Sequence, residues 1–318
     1  MSNYIRVPYG SSVHGEEEIQ AVVDVLNTST QMSVKVQEFE EKIADLFSHK
    51  HGIMTNSGSS ALYLLIESLK LPEGSEVITP ALTFSTTVGC LVKNNLKPHF
   101  VDVGYDTFCA DFEKIKSAIN PNTSAILAPD LMGNVCEWDK IYAIAKEHEI
   151  KVIIDSADTL GATLDGEPTG KYADAAITSF YGSHVINGAG NGGMLITSDD
   201  FVMEKSKLLR SWGRSSSLFS DNEAIENRFN VNLNGYKYDA KFVFEQIGYQ
   251  LEPSEMSAAF ALVQLKKLKD NIKSRVNNFD ANTNFFSNEK YRDFFILPNQ
   301  NPRSYSGWLA YPMIVKED

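Results

Sequence analysis

The sequence predicts an α/β protein with a mostly parallel central sheet and helices on both faces. Two observations carry this prediction. Short apolar, β-branched runs alternate with segments of helical period as far as about residue 197, and parallel strands need such crossovers between them. One run, Val152-Ile153-Ile154, is apolar at every position, as suits a strand buried on both faces, and it ends on Asp155.

The elements follow in order. A helical segment near the N-terminus precedes an apolar helical run over 62–71. Val77-Ile78-Thr79 reads as a strand, 83–93 as an amphipathic helix, and 99–103 and 125–128 as strands. A helix is expected over 138–148, and further strands over 175–180 and 194–197. In such sheets ligands sit beyond the carboxyl ends of the strands. From 214 to 241 the chain turns polar, with Ser215, Ser216, Ser217, Asn222, Asn227, Asn230, Asn232 and Asn234, and reads as a long insertion. Residues 253–269 return to helical period, with Met256, Ala259, Phe260 and Val263 on one face. Residues 308–315 read as a buried strand. The expected division is a large domain over 1–250 and the start of a small C-terminal α/β domain over 251–318. A domain seldom closes on its first strand, so that second domain is expected to be incomplete.

Composition narrows the function. The 318 residues, 43% apolar, suffice for a sizeable core and suit about two domains. The net charge of −12, with no basic run, argues against nucleic acid and against an anionic membrane surface. It does not forbid a phosphorylated ligand, because a helix N-terminus can hold phosphate locally. Cys90, Cys109 and Cys136 lie far apart, without CxxC or metal-ligand spacing, and read as reduced structural thiols. The first eight residues do not read as a signal peptide, and no apolar run approaches the roughly 20 residues that span a bilayer. A cytoplasmic protein is expected.

Four constellations carry candidate chemistry. Asn56-Ser57-Gly58-Ser59-Ser60-Ala61 opens an apolar helix, so its amides and hydroxyls suit either an anion or an ordinary serine cap. Asp155 ends a buried strand on the ligand side. It is either a solvated strand-end carboxylate or the partner of a pyridinium nitrogen, which would make that ring an electron sink. Gly188-Ala189-Gly190-Asn191-Gly192-Gly193 mimics a dinucleotide motif, but the residues that follow are strand-like, so a tight loop beside a ligand is expected instead. Ser179-Phe180-Tyr181-Gly182-Ser183-His184 follows a strand end. Its histidine shares an edge with Asp155, and no GxSxG elbow supports a hydrolase.

In their order and spacing these motifs, with Thr79-Pro80-Ala81-Leu82-Thr83-Phe84, Asp155-Ser156-Ala157, Gly192-Gly193 and Gly248-Tyr249, resemble the DegT/DnrJ/EryC/StrS sugar aminotransferase family, over essentially the whole chain. The resemblance implies the fold of the fold-type-I pyridoxal-phosphate enzymes and a homodimer with shared active sites. It implies that Gly58, Ser59 and Ser60 hold the cofactor phosphate with Ser179, that Phe84 stacks on the pyridine ring, and that Asp155 binds the ring nitrogen. Asp158 and Asn134 would lie near the ring substituent or the sugar, and Gln250 would reach the partner subunit's site.

One departure bears on the reaction. Family aminotransferases carry, after the Ser-Phe-Tyr motif, the lysine that bonds covalently to the cofactor. Here that position is His184, and no lysine occurs between Lys171 and Lys205. Imidazole cannot form that bond, but it can take a proton near neutral pH. Histidine here resembles the family's 3-dehydratase branch. That resemblance implies pyridoxal or pyridoxamine 5'-phosphate bound without a covalent link, and a nucleotide-linked 4-keto-6-deoxy sugar as substrate. His184 would be the base, with Tyr181 assisting and Asp155 feeding the electron sink.

Within the branch, Leu209-Arg210-Ser211-Trp212-Gly213-Arg214, Asp221-Asn222, Arg228-Phe229 and Gly235-Tyr236 resemble the iron–sulfur type, but that type's cysteines are replaced between Ser215 and Ala224. Lys241-Phe242-Val243, Pro253 and Glu255-Met256-Ser257 resemble the type that uses L-glutamate as amino donor and releases ammonia. No metal cluster and no reductase partner are expected. Gln250, Glu252, Asp158 and Asn191 replace the asparagine, arginine, glutamate and glutamate usual for the family or branch. A sugar aminotransferase that tolerates histidine, and a catalytically silent binding member, are the competing readings.

Overall fold

A computed structural model describes residues 10–219, 225–229 and 231–316. The first eight residues, Asp221, Asn222, Ala224 and Asn230, on which the sequence reading drew, lie outside the described residues. Helices α1 (Glu16–Leu26) and α2 (Val34–Leu46) lead into strand β1 (His51–Thr55) and helix α3 (Gly58–Leu69). There follow β2 (Glu76–Pro80), α4 (Ser85–Lys93), β3 (Lys97–Val101), α5 (Phe112–Ala118), β4 (Thr123–Pro129), α6 (Trp138–Glu147) and β5 (Lys151–Asp155). The short β6 (Thr163–Leu164) and β7 (Glu167–Pro168) precede β8 (Ala175–Ser179), β9 (Gly193–Thr197) and α7 (Asp200–Arg210). The polar segment holds a turn of helix, α8 (Ile225–Arg228), and a hairpin of β10 (Val231–Leu233) and β11 (Tyr236–Tyr238). After it come α9 (Glu255–Lys266), α10 (Leu268–Phe286), β12 (Phe295–Ile296), β13 (Ser304–Tyr305) and β14 (Ile314–Val315).

The main sheet has seven strands in the order β1-β9-β8-β5-β4-β2-β3. Only β9 runs against the rest. The fold is therefore the mostly parallel α/β sheet the sequence predicts. Alternation along the strands sorts the core into two layers. Met54, Ile78, Ile126, Val152, Ile154, Ala176 and Ile196 face one way, under α2, α6 and α9. Ile53, Val77, Leu127, Ile153, Ile177 and Leu195 face the other, under α3, α4 and α7. Each fully buried aliphatic side chain contributes about 2 kcal/mol. This two-sided burial explains why the strands read as continuous apolar runs.

The residues just past 250 share this core: Ala258, Ala261, Leu262, Leu268 and Ile272 belong to the first layer. Glu255 is buried at the start of α9. Its carboxylate accepts the amides of Ser33 (2.8 Å), Lys35 (2.6 Å) and Val36 (3.3 Å), and so caps the N-terminus of α2. The expected strand over 308–315 reduces to the two residues of β14. Trp308 is buried by stacking on Phe279 at 4.5 Å, so its apolar character marks helix packing rather than a strand. The strand expected at 99–103 begins two residues earlier. Among the described residues, no helix is long and apolar enough to cross a membrane.

Candidate active site

The carboxyl ends of β1, β2, β4, β5 and β8 lie along one edge, beside the start of the reversed strand β9. Thr55 and Ser179 both pair with Gly193. A Cβ on Gly193 would lie 2.3 Å from the Ser57 carbonyl carbon, so only glycine lets the loop after β1 rest on the sheet there. That loop becomes the N-terminus of α3. Ser57 Oγ accepts the Ser60 amide at 3.1 Å, the Ser57 carbonyl accepts the Ala61 amide at 3.1 Å, and Ser60 Oγ donates to Asn56 Oδ1 at 2.6 Å. The amides of Gly58 and Ser59 are left at the open end of the helix. Gly58 lies against Ser179: an added Cβ would come within 2.8 Å of its Cβ and 3.2 Å of its Oγ.

Helix α4 joins this end of the site to Asp155. Phe84 is its N-cap residue and is 66% exposed. Thr86 Oγ1 accepts a hydrogen bond from Ser59 Oγ at 3.2 Å, and Thr87 Oγ1 donates to Asp155 Oδ2 at 2.9 Å. The Ala157 amide donates to Asp155 Oδ1 at 3.2 Å. Burial raises the Asp155 carboxyl to about 6, with Asp158 adding to the shift, while these two hydrogen bonds and His184 act against it. Cys90, on the same helix, is buried and has its thiol raised to about 12 by burial and by Asp155, which suits a structural thiol.

His184 is mostly buried. Its Nδ1 lies 3.3 Å from the Ser179 carbonyl, which can only accept, so Nδ1 carries the hydrogen and Nε2 keeps its lone pair. Nε2 lies 3.9 Å from Asp158 Oδ1. Burial lowers the imidazole pKa below its usual value and so favours the neutral base. Asp158 Oδ2 accepts the Met132 amide at 2.9 Å, and burial raises this carboxyl too. Tyr181, 58% exposed, presents its ring edge to the imidazole at 6.0 Å. The glycine loop folds back over this strand end. Gly192 O accepts the Phe180 amide at 2.9 Å, and Ser257 Oγ ties down Gly188 O at 2.8 Å and Asn191 O at 3.1 Å. It leads into β9, not into a helix, as the sequence reading expected.

The structure thus brings Gly58, Ser59, Ser60, Phe84, Asp155, Asp158, Ser179, Tyr181 and His184 to one edge of the sheet. Asn134 does not join them, which corrects the sequence expectation. It is fully buried, and its amide donates to Thr107 O (2.8 Å) and Asn299 O (3.0 Å) while accepting from the Val135 and Asn301 amides (3.0 Å each). All its polar capacity goes into holding loops together. Gln250 is exposed on a separate groove, bridged to Ser211 and lined also by Thr30, Arg214 and Glu252. Sequence reasoning missed Thr86, Thr87 and Arg275. The hydroxyl run Ser85-Thr86-Thr87 after Phe84 signalled the first two. Nothing signalled Arg275, which reaches His184 from 91 residues away.

A pyridine ring bearing a phosphate fits the residues present. The open helix end with its serines suits a dianion. Asp155, raised by burial and without a salt bridge among the described residues, suits a protonated ring nitrogen. Exposed Phe84 supplies an aromatic face between them.

The fold and this edge define a scaffold of the pyridoxal-phosphate transferase type, and solved structures share it. The Escherichia coli GDP-4-keto-6-deoxy-D-mannose-3-dehydratase with bound hydrated PLP matches with a TM-score of 0.87 at 29% identity, over 99% of this chain and 80% of that one. A GDP-4-keto-6-deoxymannose-3-dehydratase with a trapped PLP-glutamate geminal diamine matches with a TM-score of 0.88 at 28% identity, over 98% of this chain and 80% of that one. In sequence, the GDP-4-keto-6-deoxy-D-mannose 3-dehydratase of Yersinia pseudotuberculosis is 32% identical over 98% of this chain and 79% of its own length. The chain belongs to the DegT/DnrJ/EryC1/StrS aminotransferase family, whose model matches residues 12–318.

Proposed function

We propose that this chain is a 3-dehydratase of nucleotide-linked 4-keto-6-deoxy sugars that uses pyridoxal/pyridoxamine 5'-phosphate without a covalent link. The observation that carries the reading is the His184 imidazole, with Nδ1 against the Ser179 carbonyl and Nε2 left as the acceptor, at the position where family aminotransferases hold a lysine. Gly58, Ser59, Ser60 and Ser179 hold the phosphate. Phe84 covers the ring, and Asp155 keeps its nitrogen protonated. When bound, the cofactor in its amine form supplies a nitrogen to join the keto sugar and a ring that accepts electrons. His184 Nε2 takes the proton whose loss starts the elimination of the C3 hydroxyl. The Ser179 carbonyl keeps Nδ1 protonated throughout and so fixes the tautomer. Tyr181 assists the proton traffic. Asp158 steadies the imidazolium as it forms.

L-Glutamate would be the amino donor that restores the amine form, and each dehydration would release one ammonia. No cluster or reductase takes part. The exposed apolar side chains between Phe229 and Tyr249, including Tyr236, Phe242 and Ile247, support a homodimer that covers this segment. Gln250, next to that segment, would serve the partner's site. A Salmonella typhimurium relative named as a lipopolysaccharide biosynthesis protein supports a role in surface-polysaccharide biosynthesis, and such a role suits a cytoplasmic enzyme.

The test incubates the protein with pyridoxamine phosphate, glutamate and a panel of 4-keto-6-deoxy sugar nucleotides, and reads products by mass spectrometry. A 3-deoxy keto sugar with one ammonia per turnover is expected. An amino sugar, no product, or turnover only with a reductase and NAD(P)H overturns the reading.

A further inference from the structure

We propose that Arg275 is the positioning residue of the histidine, holding the peptide that carries His184 and the loop that carries Asp158 in one register. This rests on His184 as the base. Arg275 projects from α10, half-buried, and its contacts close a ring. Nη2 donates to Ser183 O and His184 O, both at 3.3 Å. Nη1 donates to Trp308 O at 3.1 Å and Leu309 O at 3.5 Å. The Leu309 amide donates to Met132 O at 2.8 Å, and the Met132 amide to Asp158 Oδ2 at 2.9 Å. Asp158 Oδ1 faces His184 Nε2 at 3.9 Å, which completes the circuit.

Each link is firmly seated. Trp308 stacks on Phe279, one turn along α10 from Arg275. Gly133, beside Met132, packs so close that an added Cβ would lie 2.4 Å from Trp308 Cα. The planar guanidinium matches the task, because its fixed fork serves two pairs of carbonyls at once. A lysine ammonium is a single point charge and cannot reproduce that fork.

Arg275 also acts through charge. The groups facing His184 are Asp155 from the end of β5, Asp158 from the loop after it, Tyr181 from its own loop, and Arg275 from α10. Burial and the Arg275 charge both lower the imidazole pKa, whereas the hydrogen bond to the Ser179 carbonyl and the Asp155 charge raise it. Arg275 also counters the effect of burial on Asp158, helping to keep that carboxyl ionised.

Arg275→Met and Arg275→Lys, made in the cofactor-loaded protein, test the proposal. The His184 imidazole is titrated by NMR in histidine-labelled protein without sugar, with His184→Asn assigning its signal. Turnover is followed by ammonia release against pH. For Arg275→Met we expect the His184 midpoint to move up and the acid limb of kcat to move with it. We also expect a fall of about tenfold or more in kcat at pH 7, with KM and cofactor affinity within about twofold. Arg275→Lys should keep the midpoint near the wild-type value, because the charge remains, and should lose about threefold or more in kcat because the fork is lost. A folded Arg275→Met with an unmoved His184 midpoint and unchanged kcat overturns the proposal. If Arg275→Met does not fold, Arg275→Lys decides, and an unchanged kcat there overturns it. The NMR titration needs no turnover. If no sugar is dehydrated, the dehydratase reading fails by itself, while a moved or unmoved midpoint still decides the role of Arg275.

Discussion

Asp155→Asn keeps the shape of a side chain and removes its charge. Without cofactor, Asp155 is a buried carboxyl with two hydrogen bonds, and its pKa stands at about 6 against an ordinary 3.8. That gap corresponds to a cost of about 3 kcal/mol for the ionised form. A protonated ring nitrogen ~3 Å away reverses the balance, because two unit charges at an effective dielectric of ~20 attract by about 5 kcal/mol. An amide keeps at most a neutral hydrogen bond of about 1 kcal/mol, so roughly 4 kcal/mol of ring protonation is lost. Turnover should therefore fall about 10³-fold, with a smaller loss of cofactor affinity because the phosphate cradle remains. The cofactor-free protein should respond in the opposite direction. Asp155 binds its proton more tightly when folded, so its stabilising contribution is complete below about pH 4 and is lost as pH rises through about 6. Asp155→Asn does not titrate. It should be more stable than wild type at pH 8 by about 2 kcal/mol, after loss of the bond from the Ala157 amide, and the margin should vanish near pH 4. Ammonia release and thermal unfolding at pH 4 and pH 8 measure both effects. Turnover within a few-fold of wild type means that another group protonates the ring. A stability margin that ignores pH means that Asp155 is not the titrating carboxyl.

Further outcomes follow from the same geometry. His184→Asn should lower dehydration by at least about 10²-fold while cofactor still binds, as followed by absorbance; near-full activity would remove His184 as the base. Wild-type protein treated with borohydride should carry no pyridoxyl group by mass spectrometry, whereas His184→Lys should gain one at position 184; a labelled lysine in the wild type would contradict non-covalent binding. Because burial lowers the His184 pKa, kcat should stay level through neutral pH and fall only below the usual histidine range of about 6.5, and a limb above that value would point to another base. Asn134→Ala should cost about 2–4 kcal/mol in denaturant unfolding with kcat nearly unchanged, since its bonds are all to the protein backbone; lost activity at full stability would return Asn134 to the sugar.

Most of the sheet was legible because both of its faces are covered. Burial on both sides makes β4, β5 and β8 apolar at consecutive positions, and the crossover helices supply the contrasting period. Asp155, Ser179 and the helix after Ser57 were legible as candidate site residues because each sits where a strand ends, a position that the local pattern defines. Residues 308–315 misled, because a buried tryptophan has the same composition whether a strand or a helix face buries it. Asn134 was not read from the local pattern at all. The family resemblance alone placed it near the sugar, and only the carbonyls of Thr107 and Asn299 reveal that the fold uses its amide. Arg275 was illegible because its role consists entirely of long-range contacts to backbone carbonyls, which leave no side-chain pattern in the sequence.

The charges around His184 explain how an acidic chain can hold a dianionic cofactor at this edge. Burial pushes Asp155 and Asp158 toward their neutral forms, and it pushes His184 the same way. Taken alone, each group resists ionising. Together they leave room for two cations: Arg275 opposite Asp158, and a protonated ring opposite Asp155. With both present, each carboxylate has a partner and the imidazole stays neutral, so the pocket approaches balance although the chain carries −12. In the proposed arrangement the phosphate would lie outside this balance, on the amides and hydroxyls at the start of α3. A lysine at position 184 would instead bond covalently to the cofactor, at the point where the neutral imidazole sits. The histidine therefore does more than remove a covalent anchor. It leaves a neutral base that has no covalent bond to the cofactor to give up, which suits a proton-initiated elimination.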